Sequence, residues 1–244
     1  GQIKHATFGN GTENTWEYDD RGRSTFIKAQ KGNAVLQSLG LDYDNLGNLE
    51  YRNDYAHDIS EAFGYDALNR LTSSTLSGNG AALYHQAGLA TQTFTYDEIG
   101  NIDSKSDVGD YVYGQNGAGP HALTQTSLNG NVTTYQYDAN GNQTSGNGRS
   151  ITYTQYNKPN LITKGGNQNE FDYGPERQLI WQRATIGASG TKETIYAGAN
   201  FEREHVLASS QTLDVHHLKM GGHTIAVLKT TPNLASTFST HFLH

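Results

Sequence analysis

Apolar and polar residues alternate in short runs along most of the chain. In the run Thr93 to Tyr96, Phe94 and Tyr96 fall on one side of an extended backbone and the two threonines on the other. A period of two is typical of a β-strand with one packed face. Similar runs, separated by Gly, Asn, Asp and Ser, recur from one end of the sequence to the other. The pattern predicts an all-β fold made of antiparallel hairpins.

One of these runs belongs to an internal repeat, which appears as YDDRGRSTF, YDNLGNLEY, YDALNRLTS, YDEIGNIDS and YDANGNQTS. Aspartate is favoured at the first position of a type I turn, where its carboxylate accepts backbone N–H groups, and glycine is favoured at the fourth. A left-handed glycine there produces a turn followed by a bulge, which closes a hairpin. The motif therefore predicts strand, tight turn and strand at each copy. Its residues are Tyr18, Asp19, Gly22, Tyr43, Asp44, Gly47, Tyr65, Asp66, Tyr96, Asp97, Gly100, Tyr137, Asp138 and Gly141.

Three weaker copies complete the array. They begin at Tyr113, Tyr156 and Tyr173, which places successive anchors 17 to 31 residues apart and gives eight units over residues 10–177. The longest interval contains residues 78–90, which we expect to form an inter-strand loop. Variable loops between constant units are typical of a repeat array.

From residue 178 to 244 the rhythm changes to short strand-like runs separated by small polar residues, which predicts a β-meander that continues the sheet. Gly221 and Gly222 have the composition of a two-residue hairpin turn. This turn predicts that the opposed pairs are Met220 with His223, Leu218 with Ile225, His216 with Val227, and Asp214 with Lys229.

Composition excludes several classes of partner. Only 17% of the residues are charged, against about a quarter in ordinary proteins, and the net charge is −7 without any run of Lys or Arg. We therefore expect no nucleic-acid partner and no insertion into a membrane. The chain has no cysteine, hence no disulfide and no thiolate metal site. A start at Gly1 within a running repeat suggests a fragment of a longer protein.

Two groups of residues invite a metal-binding interpretation, and neither holds. Six histidines lie near the C-terminus, but the hairpin register would separate His216 from His223 by about 13 Å and turn His217 to the other face. They are His205, His216, His217, His223, His241 and His244. The stretch from Asp138 resembles a calcium loop, yet Gln143 stands where glycine is needed and Arg149 where the last acidic ligand belongs. We expect no metal, no cofactor and no catalytic residue, since no nucleophile–base spacing or phosphate loop is present either.

The repeated motif, as in YDALNRLTSS and YDNLGNLEYR, resembles the YD repeats of the Rhs family over roughly residues 10 to 190. The stretches KETIYAGANFEREH, HHLKMGGHTIAVL and THFLH resemble the segment before the Rhs-associated core, whereas that core and a toxin domain have no counterpart here. The resemblance implies a secreted or surface-delivered bacterial protein whose β-strip spirals into a hollow shell around a C-terminal toxin domain. Insecticidal toxin complexes and Rhs toxins are bacterial examples, and animal teneurins have a similar shell.

The resemblance implies a non-catalytic wall segment, whose partners are the remaining repeats and core of the parent chain and the enclosed toxin domain. A second interpretation is a carbohydrate-binding or adhesion module, in which exposed tyrosines, Trp16 or Trp181 stack on sugar rings. Buried rings at Tyr43, Tyr65, Tyr96 and Tyr137 would favour the wall, and a solvent-facing row would favour sugar. An enzyme is a weaker third alternative, because it would require converging polar groups in a cleft.

Overall fold

The computed structural model of the chain describes residues 1–81, 90–220, 223–232 and 238–242. These residues form 22 β-strands and two short 3-10 helices, Gln115–Gly117 and Gly187–Ser189. No helix among them is both long and apolar enough to cross a membrane. The predicted all-β fold is confirmed.

The chain divides into two compact units, residues 1–112 with 126–132, and residues 113–125 with 133–244. The strands of the first half are β1 (His5–Thr7), β2 (Thr12–Tyr18), β3 (Ser24–Lys31), β4 (Ala34–Tyr43), β5 (Leu49–Asp54), β6 (Ile59–Tyr65), β7 (Leu71–Ser77), β8 (Thr91–Tyr96), β9 (Ile102–Lys105) and β10 (Gly109–Tyr113). From β1 to β10, consecutive strands pair antiparallel.

The second half continues in the same way. Its strands are β11 (Leu123–Leu128), β12 (Asn131–Tyr137), β13 (Gln143–Gly146), β14 (Arg149–Tyr153), β15 (Pro159–Lys164), β16 (Asn167–Tyr173), β17 (Leu179–Ile186), β18 (Gly190–Ala197), β19 (Phe201–Val206), β20 (Gln211–Met220), β21 (His223–Thr230) and β22 (Phe238–Phe242). From β12 onward every strand pairs antiparallel with its successor. From β17 to β22 the strands are thus antiparallel neighbours in chain order, while the predicted organisation into a repeat array and a meander, divided at residue 177, stays a prediction.

The two faces of the sheet in the first unit differ in polarity. One face carries an apolar row, in which Trp16 opposes Ile27 and Ile27 opposes Leu39. The other face carries Gly40 opposite Asn53 and Asn53 opposite Ser60. Alternation along each strand produces this separation, because successive side chains point to opposite sides.

Few side chains are fully buried in the described residues. The buried apolar residues are Ala81, Val215, Ala226 and Val227, and the buried polar residues are Thr12, Ser38, Asn101, Thr124, Thr126 and Thr194. Most strand residues are half-buried. Stability is thus spread along the sheet through ladder hydrogen bonds and cross-strand contacts, as in other repeat proteins where each unit contacts its neighbours.

Candidate functional site: the tyrosine–aspartate turns

The repeated motif builds one turn geometry. In the copy at Tyr137, the backbone N–H of Asp138 donates to the Asn142 carbonyl at 2.9 Å, and Gly141 N–H donates to the Asp138 carbonyl at 3.0 Å. Gly141 has a φ of 83°, the left-handed conformation that glycine adopts without strain. The strand register shifts between Gln136 and Tyr137. The other four Tyr-Asp copies have the same backbone bonds and the same shift, which confirms the predicted turn and bulge.

The aspartate of the motif holds its own turn together. One carboxylate oxygen of Asp138 accepts the N–H groups of Asn140 at 2.9 Å and Asn142 at 2.8 Å, and the other accepts the Asn142 amide at 2.9 Å. The Asn142 side-chain amide lowers the pKa of Asp138, and the Arg23 backbone N–H lowers that of Asp19. Each carboxylate is bound to donors of its own turn, an arrangement that suits a structural role better than proton transfer.

The tyrosine hydroxyl links each repeat to the preceding one. Tyr65 donates to the Leu49 carbonyl at 2.8 Å, and Leu49 is the residue paired with the previous anchor, Tyr43. The equivalent bonds of the other anchors measure 2.7 to 3.0 Å and join Tyr43 to Ser24, Tyr96 to Leu71, Tyr153 to Gln143, and Tyr173 to Pro159. Tyr18 and Tyr137 bond in the same way to the carbonyls of Ile3 and Leu123.

The burial of the tyrosines bears on the sugar alternative. Tyr43, Tyr65, Tyr96 and Tyr137 are half-buried, and each hydroxyl is bonded to a backbone carbonyl. Burial also raises the pKa of the Tyr65 and Tyr137 hydroxyls. A ring held in this way packs between repeats, whereas a sugar platform requires a solvent-facing ring with a polar group to spare.

The residue after the motif glycine also joins neighbouring turns, a contact that was not predicted. Where it is arginine, the guanidinium lies over the tyrosine of the next repeat, as Arg23 does over Tyr43 at 4.4 Å. At Asn48 and Asn142 the amide bonds to the next turn, with 2.9 Å to Asn69 and 2.9 Å to Asn157 respectively. Arg or Asn recurs at this offset in all five Tyr-Asp copies, a signal that could have revealed the contact.

The structure corrects one of the weaker copies. The anchor of the copy predicted at Tyr156 is Tyr153, whose hydroxyl bonds to Gln143 and which pairs with Pro159 across a bulge. Thr154 replaces the aspartate, since its hydroxyl accepts the Lys158 N–H at 3.1 Å. Proline is tolerated at the first residue of a strand, where it donates no ladder bond, so β15 begins at Pro159 and the turn comes earlier than predicted.

The two remaining weak copies differ from each other. Tyr173 is an anchor as predicted, with Gly174 in the place of the aspartate and Arg177 in the left-handed conformation at φ 60°. Tyr113 ends β10, but the loop that follows is wider than a motif turn. It contains the 3-10 helix and is closed by the Gly114 N–H bonded to the Ala122 carbonyl at 3.0 Å.

The predicted register of the last hairpin is wrong beyond its first pair. Met220 does oppose His223, but Leu218 opposes Ala226, because a bulge between Leu218 and Lys219 leaves Ile225 as the extra residue. The slip brings Val227 to the face that carries Val215, and these side chains are only 9% and 2% exposed. The Gly221 and Gly222 turn lies outside the described residues.

Three of the six histidines in the C-terminal segment have ordinary partners. His205 contacts the Thr212 hydroxyl at 2.9 Å, His217 lies 3.3 Å from the Glu202 carboxylate, and the His216 ring packs on Phe201 at 5.0 Å. Across the described part of the chain, no group of three or more possible metal ligands comes together. The side chains of His223, His241 and His244 lie outside the described part of the structure.

No family model and no curated protein sequence matches the chain. Several solved structures match it. The crystal structure of TcdB2–TccC3–TEV superposes with a TM-score of 0.68 at 18% identity, over 96% of this chain and 13% of that one. The chain shares the fold of part of a Tc toxin complex. The Photorhabdus luminescens Tc holotoxin pore, with a substitution in TccC3, gives a TM-score of 0.64 at 17% identity over 93% of this chain and 13% of that one.

A third structure, the crystal structure of TcdB2–TccC3–Cdc42, gives a TM-score of 0.65 at 17% identity. The match covers 95% of this chain and 13% of that one. The chain therefore spans about an eighth of the length of these solved chains, and the likeness concerns the fold.

Proposed function

We propose that this chain is a non-catalytic wall segment of a secreted bacterial YD-repeat shell that encloses a C-terminal toxin domain. Its partners are the remaining repeats and core of the parent chain and the enclosed domain. The observation that carries the proposal is the tyrosine–aspartate turn itself. The aspartate carboxylates accept hydrogen bonds from their own turns, and the anchor tyrosine hydroxyls donate to backbone carbonyls earlier in the chain. The repeated polar groups therefore stabilise the sheet.

The likeness to Tc toxin structures supports the proposal at the level of the fold. A chain whose repeated geometry is a hairpin suits a container, because strands can be added side by side without altering the unit. A container isolates a toxic domain without any catalytic step. This is consistent with a motif whose carboxylates are bonded to their own turns.

The experiment removes one repeat from the parent protein that carries these residues. Deleting residues 43–64 joins Asp42 to Tyr65 and removes β5 and β6 as a pair, so Tyr65 takes the place of Tyr43 opposite the Ser24 carbonyl. The sheet keeps its alternation, but the wall is shorter by two strands. We expect the enclosed domain to become sensitive to added protease while the repeat region stays folded.

The control replaces the exposed Glu98 with Gln, which changes no described contact and should leave the enclosed domain protected. Equal protease sensitivity in the deletion variant and the unaltered parent would contradict the container. Loss of a measurable activity on replacing one exposed carboxylate of the array in a folded protein would support an enzyme instead.

A further inference from the structure

A small cleft on the polar face of the first unit has a composition unlike the turns. Its volume is about 390 Å³, and its walls include Phe26, Gly40, Tyr55, Glu17 and Asp42. Tyr55 follows β5, and its side chain folds back over β4 with 63% of its surface exposed. We name this feature the Tyr55 cleft.

Gly40 makes the arrangement of the two rings possible. A Cβ atom at this position would lie 2.7 Å from the Tyr55 hydroxyl and 2.9 Å from its ring, so only glycine lets the ring rest against the strand. Phe26 opposes Gly40 on the neighbouring strand, and its ring centroid is 6.4 Å from that of Tyr55. The rings therefore form an aromatic surface that is open to solvent on one side.

Two carboxylates flank this surface. Glu17 opposes Phe26, and Asp42 lies two residues beyond Gly40 on the same face, both exposed. Among the described residues, neither forms a hydrogen bond or an ion pair. Lys28, two residues along β3 on that face, is also without an ion pair in the described part of the chain. Because two carboxylates and one lysine lie on this face, negative charge is in excess beside the aromatic surface.

Elsewhere in the same unit, this combination of groups holds an arginine. Arg23 pairs with Asp19 at 2.7 Å and lies 4.4 Å from the Tyr43 ring centroid. Arg70 pairs with Asp66 at 2.7 Å and lies 4.5 Å from the Tyr96 ring centroid. A guanidinium suits both partners at once, because its flat face stacks on an aromatic ring while its edge donates to a carboxylate.

We propose that the Tyr55 cleft binds the arginine side chain of a polypeptide partner, with the guanidinium on the Tyr55 ring and paired with Glu17 or Asp42. Charge complementarity selects a cation over a neutral ligand, and the exposed planar ring selects a guanidinium over the compact ammonium of lysine. The inference concerns a site away from the repeated turns and does not depend on the wall role.

The test titrates the full chain with N-acetyl-arginine amide and follows the Tyr55 and Phe26 ring signals by nuclear magnetic resonance. Low ionic strength is required, because salt screens exposed charge pairs. N-acetyl-citrulline amide is the matched ligand, with the same shape and no charge, and N-acetyl-lysine amide is the second comparison. We expect saturable shifts with arginine and weaker binding of the other two ligands.

Protein variants assign the binding to the cleft. Tyr55→Ala should weaken arginine binding by roughly threefold or more, whereas Tyr55→Phe should retain it. Glu17→Gln combined with Asp42→Asn should weaken it further, and Glu98→Gln, which removes an exposed carboxylate from another turn, should change nothing. Unchanged signals elsewhere in each variant show that it is folded, since Tyr55 is mostly exposed.

Three results would overturn the proposal. Citrulline or lysine could bind as tightly as arginine, arginine binding could survive Tyr55→Ala, or no saturable shift could occur. Stronger shifts of the same rings with methyl glucoside would also reject a cation site and assign the cleft to a sugar.

Discussion

The tyrosine–aspartate turns and the C-terminal meander use polar residues in different ways. In the turns, each aspartate bonds to groups two to four residues away, as Asp44 does to Leu46, Gly47 and Asn48. In the meander from β17 onward, charged residues pair across strands, as Arg183 does with Glu193 at 2.7 Å and Arg203 with Asp214 at 2.6 Å. Both regions are antiparallel hairpins, yet one is specified by local contacts and the other by its register.

The difference between local and cross-strand contacts explains why the turns recur as a sequence motif and the meander does not. A local turn requires the same residues at the same offsets each time, so it leaves a repeat in the sequence. A cross-strand pair requires only that two residues meet, and many register choices satisfy it. The meander can therefore keep the sheet of the array without keeping its motif.

The largest expected effect comes from removing an anchor tyrosine. Tyr65→Ala removes a half-buried ring and the hydroxyl bond to Leu49, so the free energy of unfolding should fall by about 2–3 kcal/mol. Tyr65→Phe, which removes the bond alone, should cost about 1 kcal/mol. Urea unfolding of the chain measures both changes.

The matched control is Tyr51→Ala, in the same unit. Tyr51 is 43% exposed and is not an anchor, so its loss should cost less than about 1 kcal/mol. Equal losses at the two positions would show that the anchor tyrosines do not link the repeats.

A smaller effect is expected on the dependence of stability on pH. The Arg23 backbone N–H lowers the pKa of Asp19 in the folded chain, so the stability that Asp19 contributes is present above its ordinary value of about 3.8. It is lost as the pH falls through the lower folded value. Asp19→Asn should therefore destabilise the chain at pH 7 and flatten the decline of the urea midpoint below pH 4.

Asp20→Asn provides the comparison in the same turn, since Asp20 is exposed and outside the bonded set. Its midpoint should follow that of the unaltered chain across the pH range. The same flattening in both variants would remove the special role assigned to the motif aspartate.

The stability of the meander should respond to salt, whereas that of a turn without an ion pair should not. Arg203 and Asp214 form a cross-strand ion pair in which the Arg203 side chain lowers the pKa of Asp214. A double-mutant cycle with Arg203→Met and Asp214→Asn should give a coupling that declines as NaCl approaches about 1 M, where screening acts over roughly 3 Å. The destabilisation by Asp138→Asn, whose carboxylate is bonded to uncharged N–H groups and an amide of its own turn, should persist in the same salt, and an equal decline would contradict the distinction.

The smallest expected effect is an increase in stability. Thr154→Asp restores the motif aspartate in the turn after Tyr153 and should raise the free energy of unfolding by about 0.5 kcal/mol. Gly174→Asp should gain less, because a Cβ atom there would lie 2.3 Å from the Gln178 amide, which must move. Thermal unfolding compares the stabilities of the two variants. A loss of stability in Thr154→Asp would show that threonine suits this turn better than the aspartate of the motif.

The sequence predicted the hairpins wherever local chemistry determines them. Asp97, Gly100 and the alternation around Phe94 sufficed for the turn, the bulge and the strands. The anchor at Tyr153 was missed because Tyr156 has equally suitable residues at the following offsets, and only the strand position of Pro159 decides between them. The bulge beside Leu218 depends on which valines become buried across the hairpin, which no local pattern encodes.

The tyrosine bonds also give the array a direction. Each anchor hydroxyl donates to a carbonyl earlier in the chain, as Tyr96 does to Leu71 and Tyr173 to Pro159. When an anchor tyrosine is synthesised, the carbonyl that accepts its hydrogen bond has already left the ribosome. The bond does not require any residue that is synthesised later. Because synthesis proceeds from the N-terminus and contacts between neighbouring hairpins close quickly, such a chain can be built in the order in which it is translated.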